Sequence, residues 1–220
     1  MYHQLNNPSP ASSLVISPES FSRQIDWLEE KKFRFLSLDE VVERQAKIPL
    51  GERSVCLTFD DGFRDNKKGF QLLIERRKTA ALFVVVQWVG RENFLDWKEI
   101  KELADAGITI GSHALSHRWL PDISNEEELK KEIFDSKKKI EDEIGRKVHH
   151  FCYPVGGTDE RVAGLVKKAG YQAAWVAGAR PSIQIQDPLF CLRRIKVGPK
   201  DHSLVRFAMK AYGLKTLFRA

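Results

Sequence analysis

Two adjacent carboxylates, Asp60 and Asp61, sit in the segment Thr58-Phe59-Asp60-Asp61-Gly62, directly after the apolar run Val55-Cys56-Leu57. Side chains alternate along a strand, so neighbours at a strand terminus point to different sides and cannot easily share one role. One can hold a cation while the other stays free to take a proton, and Gly62 lets the backbone turn sharply behind them. Asp-Asp-Gly is also ordinary turn chemistry, so the pair gains meaning only from a second cluster. That cluster is Gly111-Ser112-His113-Ala114-Leu115-Ser116-His117, which follows another strand-like run, Ile108-Thr109-Ile110. On a helical turn, positions i and i+4 share a face. Two neutral imidazoles and one carboxylate make three protein ligands with a position left for water, which is how catalytic zinc and similar divalent metals are held.

With these segments the chain resembles the polysaccharide deacetylases that share the NodB homology domain, carbohydrate esterase family 4. Thr58 to Gly62 is similar to the first family motif, His113 to His117 to the second, and Phe151-Cys152-Tyr153-Pro154-Val155-Gly156 to the third. Gly170-Tyr171 and Leu192-Arg193-Arg194-Ile195 extend the likeness, and Tyr2-His3 with the stretch from Phe21 to Val42 resembles the poly-N-acetylglucosamine deacetylase branch. The resemblance implies a metal held by Asp61, His113 and His117, with zinc first and nickel or cobalt as alternatives. It implies Asp60 as the base, the Val155 N–H as a donor to the oxyanion, and hydrolysis of an N-acetyl amide on an amino-sugar polymer or lipid-linked saccharide. Departure of the amine needs a general acid. The late Leu-x-His that usually supplies it is replaced by Leu192-Arg193-Arg194, and the branch resemblance puts His3 in that role.

Other departures concern the partners of the base. The Arg that usually opens the third motif is Cys152 here, and its Asp partner has no counterpart around Trp175 to Gly178. Losing both is coherent, because either alone would strand a charge. Arg194 is a candidate to orient Asp60 instead, against the simpler reading of an exposed strand-end arginine. Val155 stands where the third motif usually has an aromatic, which removes a surface for sugar packing. Two rival readings follow: a barrel that binds metal and sugar with turnover impaired, and a hydrolase of another C–N bond, such as removal of a formyl group from a lipid-linked amino sugar.

These residues need elements to hold them. Apolar periodicity gives strand-like segments near 33–37, 54–59, 80–86, 108–111, 148–153, 171–176 and 189–197, with helical segments between them. Helix starts are marked by Ser17 before Pro18 and by capping-box spacings at Ser37/Glu40, Asp96/Glu99 and Ser124/Glu127. Helix ends are marked by Gly107, Gly145 and Gly170. Alternation of strand and helix means parallel βαβ units with functional loops at the C-terminal strand ends, where all three motifs fall. A closed eight-stranded barrel usually needs about 250 residues. At 220 residues, the chain suits the irregular barrel of about seven strands that the resemblance implies, as a single domain over residues 1–220.

The chain carries 36 basic and 30 acidic side chains, a net charge of +6. The longest basic run, Lys137 to Lys139, lies within a helix of mixed charge, which argues for a solvated face and against nucleic acid. Three cysteines, Cys56, Cys152 and Cys191, fall in apolar runs and read as free thiols. No signal peptide or spanning segment is evident, so the chain as written reads as cytoplasmic or membrane-peripheral, with an anchor upstream of Met1 not excluded. The tail 202–220 has no acidic residue; it reads as a basic helix packed on the barrel, with peripheral membrane contact as the alternative. Oligomeric state is left open.

Overall fold

The computed structural model describes residues 1–6, 14–44, 53–177 and 188–213. Its centre is a six-stranded sheet formed by β1 (Thr58–Phe59), β2 (Ala81–Val84), β3 (Thr109–Ser112), β4 (His150–Cys152), β5 (Ala173–Ala177) and β6 (Leu192–Arg194). All five pairings are parallel and the spatial order follows the chain order. Such an order puts every right-handed crossover on one face and lets the sheet curl about the other. The crossover helices Lys67–Glu75, Trp97–Asp105, Ser136–Ile144 and Glu160–Lys168 each bury an apolar stripe, with Phe70, Ile100, Ile140 and Val166 all fully enclosed.

Inside the curl, Ala81, Phe83, Cys152 and Trp175 pack with Leu38 from the helix Leu38–Arg44. Phe83 is in register with Gly111, and a Cβ at Gly111 would lie 2.5 Å from the Phe83 ring. A large residue on one strand is thus accommodated by the smallest on the next. His150 enters from the opposite end to the motifs, where its Nε2 lies 2.8 Å from Asp39 Oδ1. That places it in a structural contact.

Among the described residues the main sheet has six strands, where about seven are expected. Tyr2 makes only an isolated bridge to Phe59, because the chain then turns away and Gln4–Leu5 pairs with Val15–Ile16 in a separate ribbon. Even so, the first residues reach both edges of the sheet: the Tyr2 N–H donates to Thr58 O (2.8 Å), the Asp60 N–H to Tyr2 O (3.0 Å), and the Val197 N–H to Met1 O (2.9 Å). The segments near 33–37 and 54–59 also differ from expectation, since Arg34–Phe35 and Ser54–Val55 pair with each other outside the main sheet. Only Thr58–Phe59 joins it.

Ser17 caps Pro18–Glu30, and Asp96 with Glu99 forms a reciprocal capping box. Ser37 and Glu40 do the same. The cap of Glu126–Lys130 is Asn125, not Ser124: its side chain accepts from the N–H groups of Glu127 and Glu128. Gly107, Gly145 and Gly170 have φ of 94°, 69° and 80°. In the tail, Leu204–Ala211 is helical and packs inward, with Phe207 buried against Trp27; residues 214–220 lie outside the described residues. The three cysteines are free. Among the described residues no helix is long and apolar enough to cross a membrane.

Candidate active site

Asp60 and Asp61 leave β1 at its C-terminal end, and Asp61 adopts φ 75°. A left-handed conformation is uncommon for a residue other than glycine, and here it swings the second carboxylate away from the first. His113 follows β3, with its N–H bonded to Val84 O (2.8 Å). Left-handed Ala114 and His117, with φ of 64° and 66°, coil the loop so that both imidazoles return to one point. Asp61 Oδ1 lies 3.5 Å from His113 Nε2 and 3.4 Å from His117 Nε2. His113 Nδ1 is 2.7 Å from Cys152 O. A carbonyl only accepts, so Nδ1 carries the proton and Nε2 presents its lone pair. Asp61 Oδ1 is buried without a hydrogen-bond partner. The His113 lone pair, the His117 Nε2 and an orphaned carboxylate oxygen, all converging on one point, fit a divalent cation.

Beside this cluster, Arg194 grips Asp60 with both arms of its guanidinium, at 2.6 Å to Oδ1 and 2.8 Å to Oδ2. The same group donates to Thr58 Oγ1 (3.0 Å) and Val176 O (3.4 Å) and lies over the Phe83 ring. Arg194 is buried, not an exposed strand end. Cys152 explains the arrangement: its Sγ is 2.8 Å from Arg194 Nη2, so a small side chain on β4 leaves the room that an arginine reaching over from β6 occupies. Burial alone would raise the pKa of Asp60. The Arg194 charge and hydrogen bonds overcome it and hold the carboxyl well below the usual carboxylate range.

His3 approaches from the opposite side, with Nε2 4.0 Å from Asp60 Oδ2 and a side chain only 12% exposed. Its carbonyl accepts from Asn66 Nδ2 (2.8 Å), and its Nδ1 is buried and unpartnered. Burial lowers its pKa against the pull of Asp60 and Asp61, so the ring is neutral at pH 7. Val155 sits in the turn Pro154–Gly156 with φ 56°, a costly conformation for a β-branched residue. A cavity of about 370 Å³ joins His3, Asp60, Asp61, His113, His117 and Val155. Arg194 lies behind Asp60, outside that lining. The structure therefore brings all seven candidate residues together.

Sequence reasoning missed Glu132. It is buried in a π-helical turn, Lys131–Asp135, and accepts from the N–H groups of Leu115 (3.0 Å) and Ser116 (2.9 Å) and from the Ser116 hydroxyl. It thereby clamps the loop between the two histidines. Only a carboxylate on a helix otherwise of mixed charge marked it in the sequence. Trp88 was missed as well; it packs against the outer face of His117, with ring centroids 4.8 Å apart.

Comparison with known proteins bears on this geometry. A family model described as polysaccharide deacetylase matches residues 47–174. The poly-beta-1,6-N-acetyl-D-glucosamine N-deacetylase of Staphylococcus aureus is 27% identical, and the match spans 70% of this chain but only 58% of that protein. Among solved structures, IcaB from Ammonifex degensii superposes with a TM-score of 0.78 at 25% identity, covering 93% of this chain and 92% of that one. A polysaccharide deacetylase from Bacillus cereus gives a TM-score of 0.79 at 28% identity, over 96% of this chain and 67% of that one.

Proposed function

Because the chain belongs to the polysaccharide deacetylase family, we propose that it is a divalent-metal-dependent hydrolase that removes N-acetyl groups from an amino-sugar polymer, with Asp61, His113 and His117 as the metal ligands. The observation that carries this reading is the orphaned Asp61 Oδ1 set between two imidazole Nε2 atoms, with a second, arginine-held carboxylate beside it. Zinc suits two imidazoles and one carboxylate with a fourth position open. When bound, the cation supplies Lewis acidity to the acetamide carbonyl and makes a water easier to deprotonate.

The protein's own groups then move the proton. Asp60, ionised and fixed by Arg194, accepts it from the attacking water as the new C–O bond forms. The Val155 N–H, in the lining of the same cavity, is the proposed donor to the oxygen that gains charge. His3 is neutral at rest, so it can deliver a proton only after receiving one, and Asp60 at 4.0 Å is the source. The proton passes by way of His3 to the sugar nitrogen as the C–N bond breaks, leaving acetate and a free amine. The buried Arg194–Asp60 pair supports turnover and counts against an impaired binding barrel.

The test is acetate release from a β-1,6-linked N-acetylglucosamine oligomer by protein loaded with zinc, nickel or cobalt. Acetate should appear with metal and stop with chelator; release of formate from a formylated amino sugar, and no acetate, would move the activity to the other C–N bond. His113→Ala should remain folded but bind no stoichiometric metal, as read by elemental analysis, and undiminished metal there would overturn the ligand assignment. His3→Ala should lose at least about tenfold more rate on the amide than on an activated ester, whose leaving group needs no proton. Equal losses on the two substrates would remove His3 from proton delivery.

A further inference from the structure

Trp119 is 39% exposed, yet its ring is seated against the backbone of a neighbouring loop. Its ring lies on Gly157 so closely that a Cβ there would stand 2.6 Å from Cε3. The residues that follow are anchored in the core through Leu120 and Ile123. Their turn is pinned from another helix by Arg161, which donates to Ile123 O (3.0 Å) and Pro121 O (3.1 Å). The indole N–H makes no hydrogen bond among the described residues. An exposed aromatic with one face seated on Gly157 and a pinned turn directly after it is suited to stacking against a ligand, since part of the ordering cost is met before binding.

Its position says which ligand. Trp119 follows His117 by two residues, which places its Cα within about 7 Å of the His117 Cα. Gly157 follows Val155 by two residues, and Val155, 65% exposed, lines the cavity that holds the metal cluster. Trp119 does not line the cavity itself, but it is tied to two residues that do, to His117 through the chain and to Val155 through its contact with Gly157. We propose that Trp119 is a sugar-stacking subsite, taking the pyranose ring adjacent to the one whose acetamide enters the cavity, and that it makes the site selective for oligomers over single sugars. Pyranose C–H faces are apolar and match an indole face, and the free N–H can reach a ring hydroxyl. The proposal rests on the deacetylase reading for its substrate class.

The test compares wild type, Trp119→Ala and Trp119→Phe on a β-1,6-linked N-acetylglucosamine pentamer and on an activated acetyl ester. The alanine variant should raise KM for the pentamer about tenfold or more, equivalent to about 1.4 kcal/mol, with kcat, ester hydrolysis and metal content unchanged; phenylalanine should restore most of the loss. An unchanged pentamer KM, or an equal loss on both substrates, overturns the subsite. Binding is read separately by tryptophan fluorescence of metal-free protein titrated with the pentamer. The wild type should show a saturable change that the alanine variant lacks. Absence of acetate release would defeat the deacetylase reading while leaving this titration to decide Trp119, and a titration that is flat for the wild type, or alike for both proteins, overturns the subsite.

Discussion

Replacing Asp60 with Asn should leave a protein that binds one metal per chain and releases acetate about 10²–10⁴ times more slowly, the scale of a positioned proton acceptor. Asn matches the shape of Asp but takes no proton. Asp61, whose Oδ1 faces both imidazoles, is untouched, so metal content should hold. The substitution also leaves Arg194 without its counter-ion. Thr58 Oγ1, Val176 O and the face of Phe83 remain as partners, so stability falls but the fold persists, and turnover is best compared well below the melting transition. Loss of metal in this variant would show that the two aspartates have been assigned the wrong way round.

The second large effect belongs to Arg194. Arg194→Met removes a buried bidentate partner and strands the Asp60 carboxylate in the sheet interior, which should cost about 3–5 kcal/mol in urea unfolding together with most of the turnover. Lysine should rescue only part, because it cannot reproduce two parallel bonds to one carboxylate. The pH dependence gives the sign. In the wild type, Asp60 is held below its unfolded pKa, so its contribution is complete above about pH 4 and is lost as pH falls through the folded value. In the variant the largest opposition to burial is gone and only the weaker pull of His113 and His3 remains, so the carboxyl should rise above its unfolded value and stability should be lost as pH rises instead. The deficit of the variant should therefore shrink on acidification from pH 7 toward pH 4.5. A deficit independent of pH would mean that Arg194 acts through packing and not through its charge on Asp60.

Most of the metal cluster was legible because it is local. Asp60 and Asp61 are neighbours, His113 and His117 are four apart, and each pair ends a strand that periodicity can find. The Arg194–Asp60 pair spans 134 residues, and sequence offered Arg194 only as a candidate; it became evident once Cys152 was seen to leave the space. Glu132 was illegible because its contact with the histidine loop depends on a π-helical turn that no spacing rule marks. Ser124 lost to Asn125 because two good caps stood side by side and only the backbone decides between them. Of the seven strand-like segments, the one near 33–37 does form a strand, but periodicity cannot choose its partner, and Arg34–Phe35 pairs with Ser54–Val55 outside the main sheet.

Arg194 lies on the last strand of the sheet and Asp60 just beyond the first, so their ion pair joins the two edges that the curl brings face to face. The proposed base is thus also a rivet across a seam. Any change that freed Asp60 to become a stronger base, by slackening the grip of Arg194, would slacken the seam as well. In this fold the same two bonds act on the proton affinity of the base and, together with the backbone bonds of Met1 and Tyr2, on the closure of the seam, so tuning one moves the other.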